Sequence, residues 1–220
     1  PLSLLSQWKI LDNLRRSLVA PAALLLFLAG WALLPSPWLW TSSVLAFFFI
    51  PPVLGAFARL VRKPHEAPAR RHLAAGMHAF ASDLASTAFG LACLPFEASY
   101  SAGAVARTLV RMLVTRTRLL EWTASNALER ARAKREGSAL AASWRSMWIG
   151  PAIAAAAGAY IALARPEALA PAAAVLLLWL ASPVLAWWLG RPGDSGALAL
   201  SRAEEDFLRG QARRTWGFFD

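Results

Sequence analysis

Charged side chains are scarce in this sequence. Asp, Glu, Lys and Arg make up 16% of its 220 residues and hydrophobic residues 57%, whereas a typical soluble domain carries about a quarter charged residues. A water-soluble globule is therefore excluded as the first interpretation. A single cysteine, Cys93, excludes an internal disulfide, and three histidines without a CxxC pair exclude a cysteine-rich metal site.

The sequence also lacks the motifs that carry enzymatic chemistry. It contains no GxxxxGK[ST] loop, no HExxH, no GxSxG and no Asp-x-Asp pair. His72 and Asp83 fall about three turns apart on one predicted helix, too far for a base and its orienting carboxylate. Cys93 next to Leu94 and Pro95 is typical of packing. We therefore expect no catalytic residue, no metal site and no cofactor in this segment.

Four apolar runs, in contrast, approach or reach the roughly 17 to 25 residues that a helix needs to cross a bilayer. Breakers at Pro35-Ser36-Pro37 and at Arg165-Pro166 join them in pairs, and many of the 11 tryptophans lie near their ends, as in an aromatic belt. The sequence predicts an all-α integral membrane fold, with two transmembrane helical hairpins joined by a cytoplasmic amphipathic helical segment. The predicted segments are an interfacial helix at 1–17, a hairpin at 18–63, amphipathic helices at 64–145, a hairpin at 146–190, and a linker with the first helix of a soluble domain at 191–220.

The positions of the 23 Lys and Arg residues predict the topology. Three precede the first run, none lies in the first turn, 14 lie between Arg59 and Arg145, one lies in the second turn and five follow the last run. By the positive-inside rule, both turns face away from the cytoplasm and both ends are cytoplasmic. The same partition accounts for the net charge of +10, so we expect no nucleic-acid partner.

The middle segment is predicted to form two amphipathic helices. An apolar stripe at helical spacing ends before Pro95 and has Asp83 near its centre. This charge favours an interfacial helix, or a helix packed on the hairpins, over a fifth span. The second helix carries Arg107, Arg111 and Arg118 on the face opposite its apolar residues, which predicts binding at the lipid interface to anionic headgroups. Its apolar face comprises Val105, Leu109, Met112, Leu113, Leu119 and Leu120.

Two further patterns concern helix packing and the tail. Gly150, Ala154 and Gly158 recur at four-residue spacing, which lets another helix approach closely. Ser201 and Glu204 form a capping box that predicts the start of a soluble helix. The two hairpins also align at offsets of 129 to 131 residues, either through duplication or through shared membrane composition.

Four motifs in order resemble the membrane region of bacterial cyclic β-1,2-glucan synthases. They are PLSLLSQWKILDNLRRSLVAP, LPFEAS followed by VARTLVRMLVTRTRLLEWTAS, SPVLAWWLGRP, and LRGQARRTWGFFD. The resemblance covers essentially the whole chain and implies a multi-pass protein of the bacterial inner membrane. It also implies a longer parent chain, with an upstream inverting glycosyltransferase domain that uses UDP-glucose and a divalent metal, and with downstream glucanase-like and phosphorylase domains.

The resemblance leaves the role of this segment open between three hypotheses. The segment anchors and positions the transferase, or it is a non-catalytic membrane scaffold, or it forms part of a glucan export path. Trp8 matches the tryptophan of a Gln-x-x-Arg-Trp motif that stacks on the acceptor sugar in processive transferases, but Gln7 replaces the arginine. Trp8 is therefore a candidate for binding the growing glucan, and an interface anchor is the alternative.

Overall fold

The computed structural model describes residues 3–61, 69–117, 139–191 and 201–217. Within these ranges the chain is helical apart from short turns, and no strand is present, which confirms the predicted all-α class. The chain divides into two compact units, Pro1–Trp188 and Leu189–Asp220. Four stretches of the described residues are long and apolar enough to span a membrane: Leu4–Ala32, Pro37–Val61, Arg70–Thr115 and Pro166–Leu189.

The described ranges contain seven α-helices. These are α1 (Leu4–Ala32), α2 (Pro37–Val61), α3 (Ala69–Val110), α4 (Ala139–Met147), α5 (Ile149–Ala164), α6 (Leu169–Leu189) and α7 (Arg202–Trp216). A π-helical turn, Arg111–Thr115, extends α3, and a 3₁₀ turn, Pro166–Ala168, joins α5 to α6. The predicted capping box is present at the start of α7, where the Ser201 hydroxyl accepts from the Glu204 amide and the Glu204 carboxylate accepts from the Ser201 amide.

The first predicted hairpin consists of α1 and α2. Its turn places Ser36 in the left-handed region at φ 58°, which an L side chain adopts at a cost. The helices approach closely at Gly30, where an added Cβ would lie 2.8 Å from the Cβ of Trp40. The indole of Trp31 donates to the Thr41 hydroxyl at 2.8 Å. Since this hydrogen bond is buried, it pairs two polar groups that lipid could not satisfy.

The second hairpin consists of α5 and α6, with the short helix α4 leading into it. A bend of 55° separates α4 from α5, so the pair is long and apolar enough for a span only if both parts are counted. At the other end of α5, the Arg165 guanidinium donates to the carbonyl of Leu34 at 3.0 Å. The turns of the two hairpins therefore meet at one end of the bundle.

Pro95 does not end a helix, and the prediction of two separate helices in the middle segment is wrong. α3 runs from Ala69 to Val110 without a break. A proline at 95 leaves the Leu91 carbonyl without its helical donor, and the Trp179 indole of α6 donates to this carbonyl at 3.1 Å instead. α3 packs along α1 and α2 and contacts α5. Residues 91–95 are buried on every side of the helix.

The end of α3 also differs from the predicted second helix. Arg116 lies in the left-handed region at φ 50°, and its amide donates to the Arg111 carbonyl at 2.8 Å. The regular turns stop at Thr115. Arg118, Leu119 and Leu120 lie outside the described residues, as does the charged stretch that follows them.

Asp83, the charge within the apolar stripe, has a partner from the first hairpin. Its carboxylate forms an ion pair with the guanidinium of Arg59 near the end of α2, and both side chains are about two-fifths exposed. Two exposed partners of opposite charge contribute little to stability. The pair therefore gives the Asp83 carboxylate a partner of opposite charge but adds little to the packing of α3 on α2.

An aromatic cluster joins the first hairpin to α6. The ring centroids of Phe27 and Trp31 lie 5.3 Å apart, and those of Trp31 and Trp179 lie 5.6 Å apart. Phe27 meets Trp179 edge to face at 6.0 Å and 83°. Each of the three side chains is at most 1% exposed, so together they fill the centre of the bundle.

Candidate functional site

Trp8 lies in the second turn of α1 and is 68% exposed. The helix begins one turn earlier, where the Ser3 hydroxyl accepts from the amide of Ser6. Leu4, Leu5 and other large apolar residues around Trp8 are exposed as well. An exposed indole is able either to stack on a sugar ring or to lie at a membrane interface. The two alternatives for Trp8 therefore both remain predictions.

The predicted basic face is only partly described. Arg107 is exposed on the last turns of α3, and Arg111 is half-buried at the π-helical turn. Met112 and Leu113 are exposed on the same turn, at 56% and 72%. The third member, Arg118, lies outside the described residues. Binding of this face to anionic headgroups stays a prediction.

The small residues of α5 face α6. An added Cβ at Gly150 would lie 2.9 Å from the Ser182 hydroxyl and 3.3 Å from the Trp179 carbonyl, so this position requires glycine. Ala154 is 2% exposed. At Gly158 the corresponding contact, with a methyl group of Leu176, is an ordinary 3.8 Å. The close approach is thus confined to the first of the three residues.

Two serine hydroxyls beside Gly150 donate hydrogen bonds to backbone carbonyls near Pro183. Pro183 cannot donate to the Trp179 carbonyl, and the Ser182 hydroxyl donates to it at 2.8 Å. The Ser143 hydroxyl of α4 donates to the Pro183 carbonyl at 2.6 Å. The buried hydroxyl of Ser182 therefore has a structural role, because it satisfies the carbonyl that Pro183 leaves without a donor.

A mainly apolar cleft with two charged lining residues lies between the first hairpin and α3, and the sequence patterns did not reveal it. Its volume is about 270 Å³. Arg16 and Glu97 contribute the charged groups, Thr87 a hydroxyl and Phe48 an aromatic wall. The remaining lining residues are Val19, Ala20, Gly90 and Leu94.

A helical pattern in α3 marks one side of this cleft. Thr87, Gly90, Leu94 and Glu97 recur at three- and four-residue spacing, which places them on one face. That pattern was available in the sequence. The facing position of Arg16 was not, because it depends on how α3 crosses α1.

The described residues contain no group of three or more His, Cys, Asp or Glu side chains that could hold a metal ion. Cys93 is 7% exposed, within the buried stretch of α3. His72 and Asp83 stand 11 positions apart on the same helix, which corresponds to about 16 Å of helical rise. These side chains therefore do not form a catalytic pair in the described structure.

Comparison with known proteins identifies one relative along the full length of the chain. No protein-family model matches. The chain is 32% identical over 226 aligned residues to cyclic β-(1,2)-glucan synthase NdvB of Rhizobium meliloti strain 1021. The alignment covers the whole of this chain but 8% of that protein. The resemblance predicted from the four motifs is thereby confirmed, as a likeness to one segment of a much longer synthase.

Proposed function

We propose that this chain is the membrane-embedded segment of a cyclic β-1,2-glucan synthase, and that it anchors and positions a UDP-glucose-dependent glycosyltransferase. The observation that carries the proposal is the similarity to a glucan synthase along the entire chain. The four helical stretches long and apolar enough to cross a bilayer support the membrane role.

The arrangement of the bundle suits a positioning role. The two hairpin turns meet at Leu34 and Arg165, and the charge partition supports a position of that end outside the cytoplasm. The other ends of the hairpins then lie on the cytoplasmic side, where the adjoining parts of the parent chain begin and end. A core filled by Phe27, Trp31 and Trp179 keeps these ends in a fixed arrangement.

The chemistry of glucan synthesis is assigned to the rest of the parent chain. We place UDP-glucose and a divalent metal in the upstream transferase domain, which acts with inversion, and a glucanase-like domain downstream. The described residues offer no group of metal ligands. The partners of this segment are then these two domains, the growing glucan and a bilayer with anionic headgroups.

Replacement of both hairpins by unrelated transmembrane hairpins in the full-length protein tests positioning against anchoring alone. The replacements match the native hairpins in length and in flanking Lys and Arg residues, so membrane insertion is preserved. Positioning predicts a membrane-bound protein that makes little glucan from UDP-glucose. Undiminished synthesis would leave only an anchor, and undiminished synthesis with glucan retained inside the cell would favour the export path.

Trp8 is the side chain that we assign to the acceptor glucan. Its exposed indole offers an apolar face for a sugar ring, while Lys9, Arg15 and Arg16 hold this end of α1 near the headgroups. In the full-length protein, Trp8→Ala should shorten the glucan, and Trp8→Phe should restore part of its length. Trp38→Ala is the control, because Trp38 is 63% exposed but begins α2 beside the first turn. Equal product lengths for Trp8→Ala and Trp38→Ala would refute the assignment.

A further inference from the structure

The cleft between α1, α2 and α3 has the chemistry of a site for a zwitterionic headgroup. It carries one guanidinium, from Arg16, and one carboxylate, from Glu97. We propose that it binds the phosphoethanolamine headgroup of a membrane phospholipid, with the phosphate on Arg16 and the ammonium group on Glu97.

Both charged groups have free bonding capacity. One nitrogen of Arg16 pairs with Asp12 at 2.7 Å, and a guanidinium has five N–H donors in all. No hydrogen bond or ion pair joins Glu97 to any other described residue, including Arg16. The two residues line the same cleft, their side chains are exposed, and they are not paired with each other, so a ligand that carries both charges could bind both.

The space itself is open and small. Its volume of about 270 Å³ lies just below the roughly 300 to 1,000 Å³ of sites for drug-sized ligands. Gly90 lines it, and an added Cβ there would meet no atom within 4 Å. Glycine in a helix interior costs stability relative to alanine, and no close packing requires it at this position. The open space at Gly90 is therefore available for a ligand group.

The surroundings favour a lipid over a sugar. The walls are mainly apolar, from Val19, Ala20, Phe48 and Leu94, whereas a sugar ring needs several polar partners around its hydroxyls. Arg16 is also a flanking residue of the first predicted span, which is where headgroups lie. Nearby Leu18 is 43% exposed, as expected for a side chain in contact with acyl chains.

Lipid selectivity of the full-length protein provides the test. The protein is placed in nanodiscs that contain equal amounts of phosphatidylethanolamine, phosphatidylcholine and phosphatidylglycerol, and retained lipids are quantified after mild delipidation. Phosphatidylethanolamine should be retained preferentially. Phosphatidylcholine offers no N–H donor to Glu97, and phosphatidylglycerol offers no cation. Equal retention of all three lipids would overturn the proposal.

Matched variants locate the site. Glu97→Gln should weaken phosphatidylethanolamine binding about tenfold, the lower end expected for a hydrogen bond to a charged group, because the cleft is open. Arg16→Gln should weaken it similarly, and Arg15→Gln, which alters the neighbouring partner of Asp12 outside the cleft, should not. Equal effects of the two arginine variants would refute the site.

A second pair of variants does not depend on charge. Gly90→Leu should fill the cleft and abolish selective retention, whereas Gly103→Leu, at a similarly open position on α3 that does not line the cleft, should leave it intact. Soluble phosphoethanolamine, which carries the same two charges, should compete with the lipid for the cleft, and soluble phosphocholine should not. Displacement of the lipid by β-1,2-glucose oligomers would show a sugar site and would overturn the lipid proposal. These readouts measure binding alone, so they can fail while glucan synthesis succeeds, and the reverse.

Discussion

Replacement of Trp179 by phenylalanine tests why α3 continues through Pro95. The indole of Trp179 is fully buried and donates to the Leu91 carbonyl at 3.1 Å. Phenylalanine retains an aromatic ring against Phe27 and Trp31 but removes the donor. The Leu91 carbonyl would then be buried without a partner, because Pro95 has no amide hydrogen.

The size of the effect has two parts. Hydrogen bonds between membrane helices contribute about 0.6 kcal/mol on average and up to about 1.7 kcal/mol. The smaller ring also leaves a cavity, which adds about 1 to 2 kcal/mol. Trp179→Phe should therefore destabilise the bundle by about 1.5 to 4 kcal/mol in total.

A double-mutant cycle with Pro95→Ala separates the two parts. Alanine at 95 supplies the amide donor that Leu91 lacks, so Trp179→Phe should cost about 1 kcal/mol less in the Pro95→Ala background. The cavity contribution is the same in both backgrounds and cancels. Unfolding by sodium dodecyl sulfate in mixed micelles, followed by circular dichroism, gives the four free energies of unfolding. Additive effects, within about 0.3 kcal/mol, would refute the role assigned to the indole.

Three further predictions follow from single contacts. Gly150→Ala should destabilise the bundle by about 1 to 3 kcal/mol, because its Cβ would lie 2.9 Å from the Ser182 hydroxyl oxygen. Gly158→Ala should destabilise it by less than about 1 kcal/mol, because the nearest contact there is an ordinary one. Equal losses of stability in the same unfolding assay would contradict the close approach at Gly150. Ser36→Gly should stabilise the first turn by about 0.5 kcal/mol, since glycine adopts φ 58° without strain, and a loss of stability would argue against that turn. Hydrogen bonds from the amide and hydroxyl of Ser201 lower the pKa of Glu204, so the capping box stabilises the helix above the ordinary carboxyl pKa and loses this effect as the pH falls through the lowered value. In a peptide that spans α7, acid should therefore decrease the helicity less in Glu204→Gln than in the native sequence. Identical acid profiles of the two peptides would contradict the capping box.

The hairpins and the helix cap were predictable because their signals are local. Pro35, Ser36 and Pro37 break the first pair of apolar runs within three residues, and a capping box depends on two side chains three positions apart. Such patterns do not require knowledge of any other part of the chain.

The path of α3 and the cleft lined by Arg16 and Glu97 were not predictable for the opposite reason. The donor that lets α3 continue through Pro95 comes from Trp179, and its acceptor Leu91 lies 88 positions away in the sequence. Asp83 predicted an interfacial helix or a helix packed on the hairpins, and its partner Arg59, 24 positions away, follows only from the packing of α3 on α2. A proline in an apolar stripe therefore ends a helix only when no distant residue satisfies the carbonyl that it leaves without a donor.

Linkage analysis of the product made from UDP-glucose is the most direct test of the central claim. Membranes that contain the full-length protein should incorporate labelled glucose into β-1,2-linked glucan. Membranes that contain the 220-residue chain alone should incorporate none, because we propose that the segment positions the transferase and that the transfer itself takes place elsewhere in the parent chain. Sugar transfer by the chain alone, or a different linkage from the full-length protein, would contradict the account.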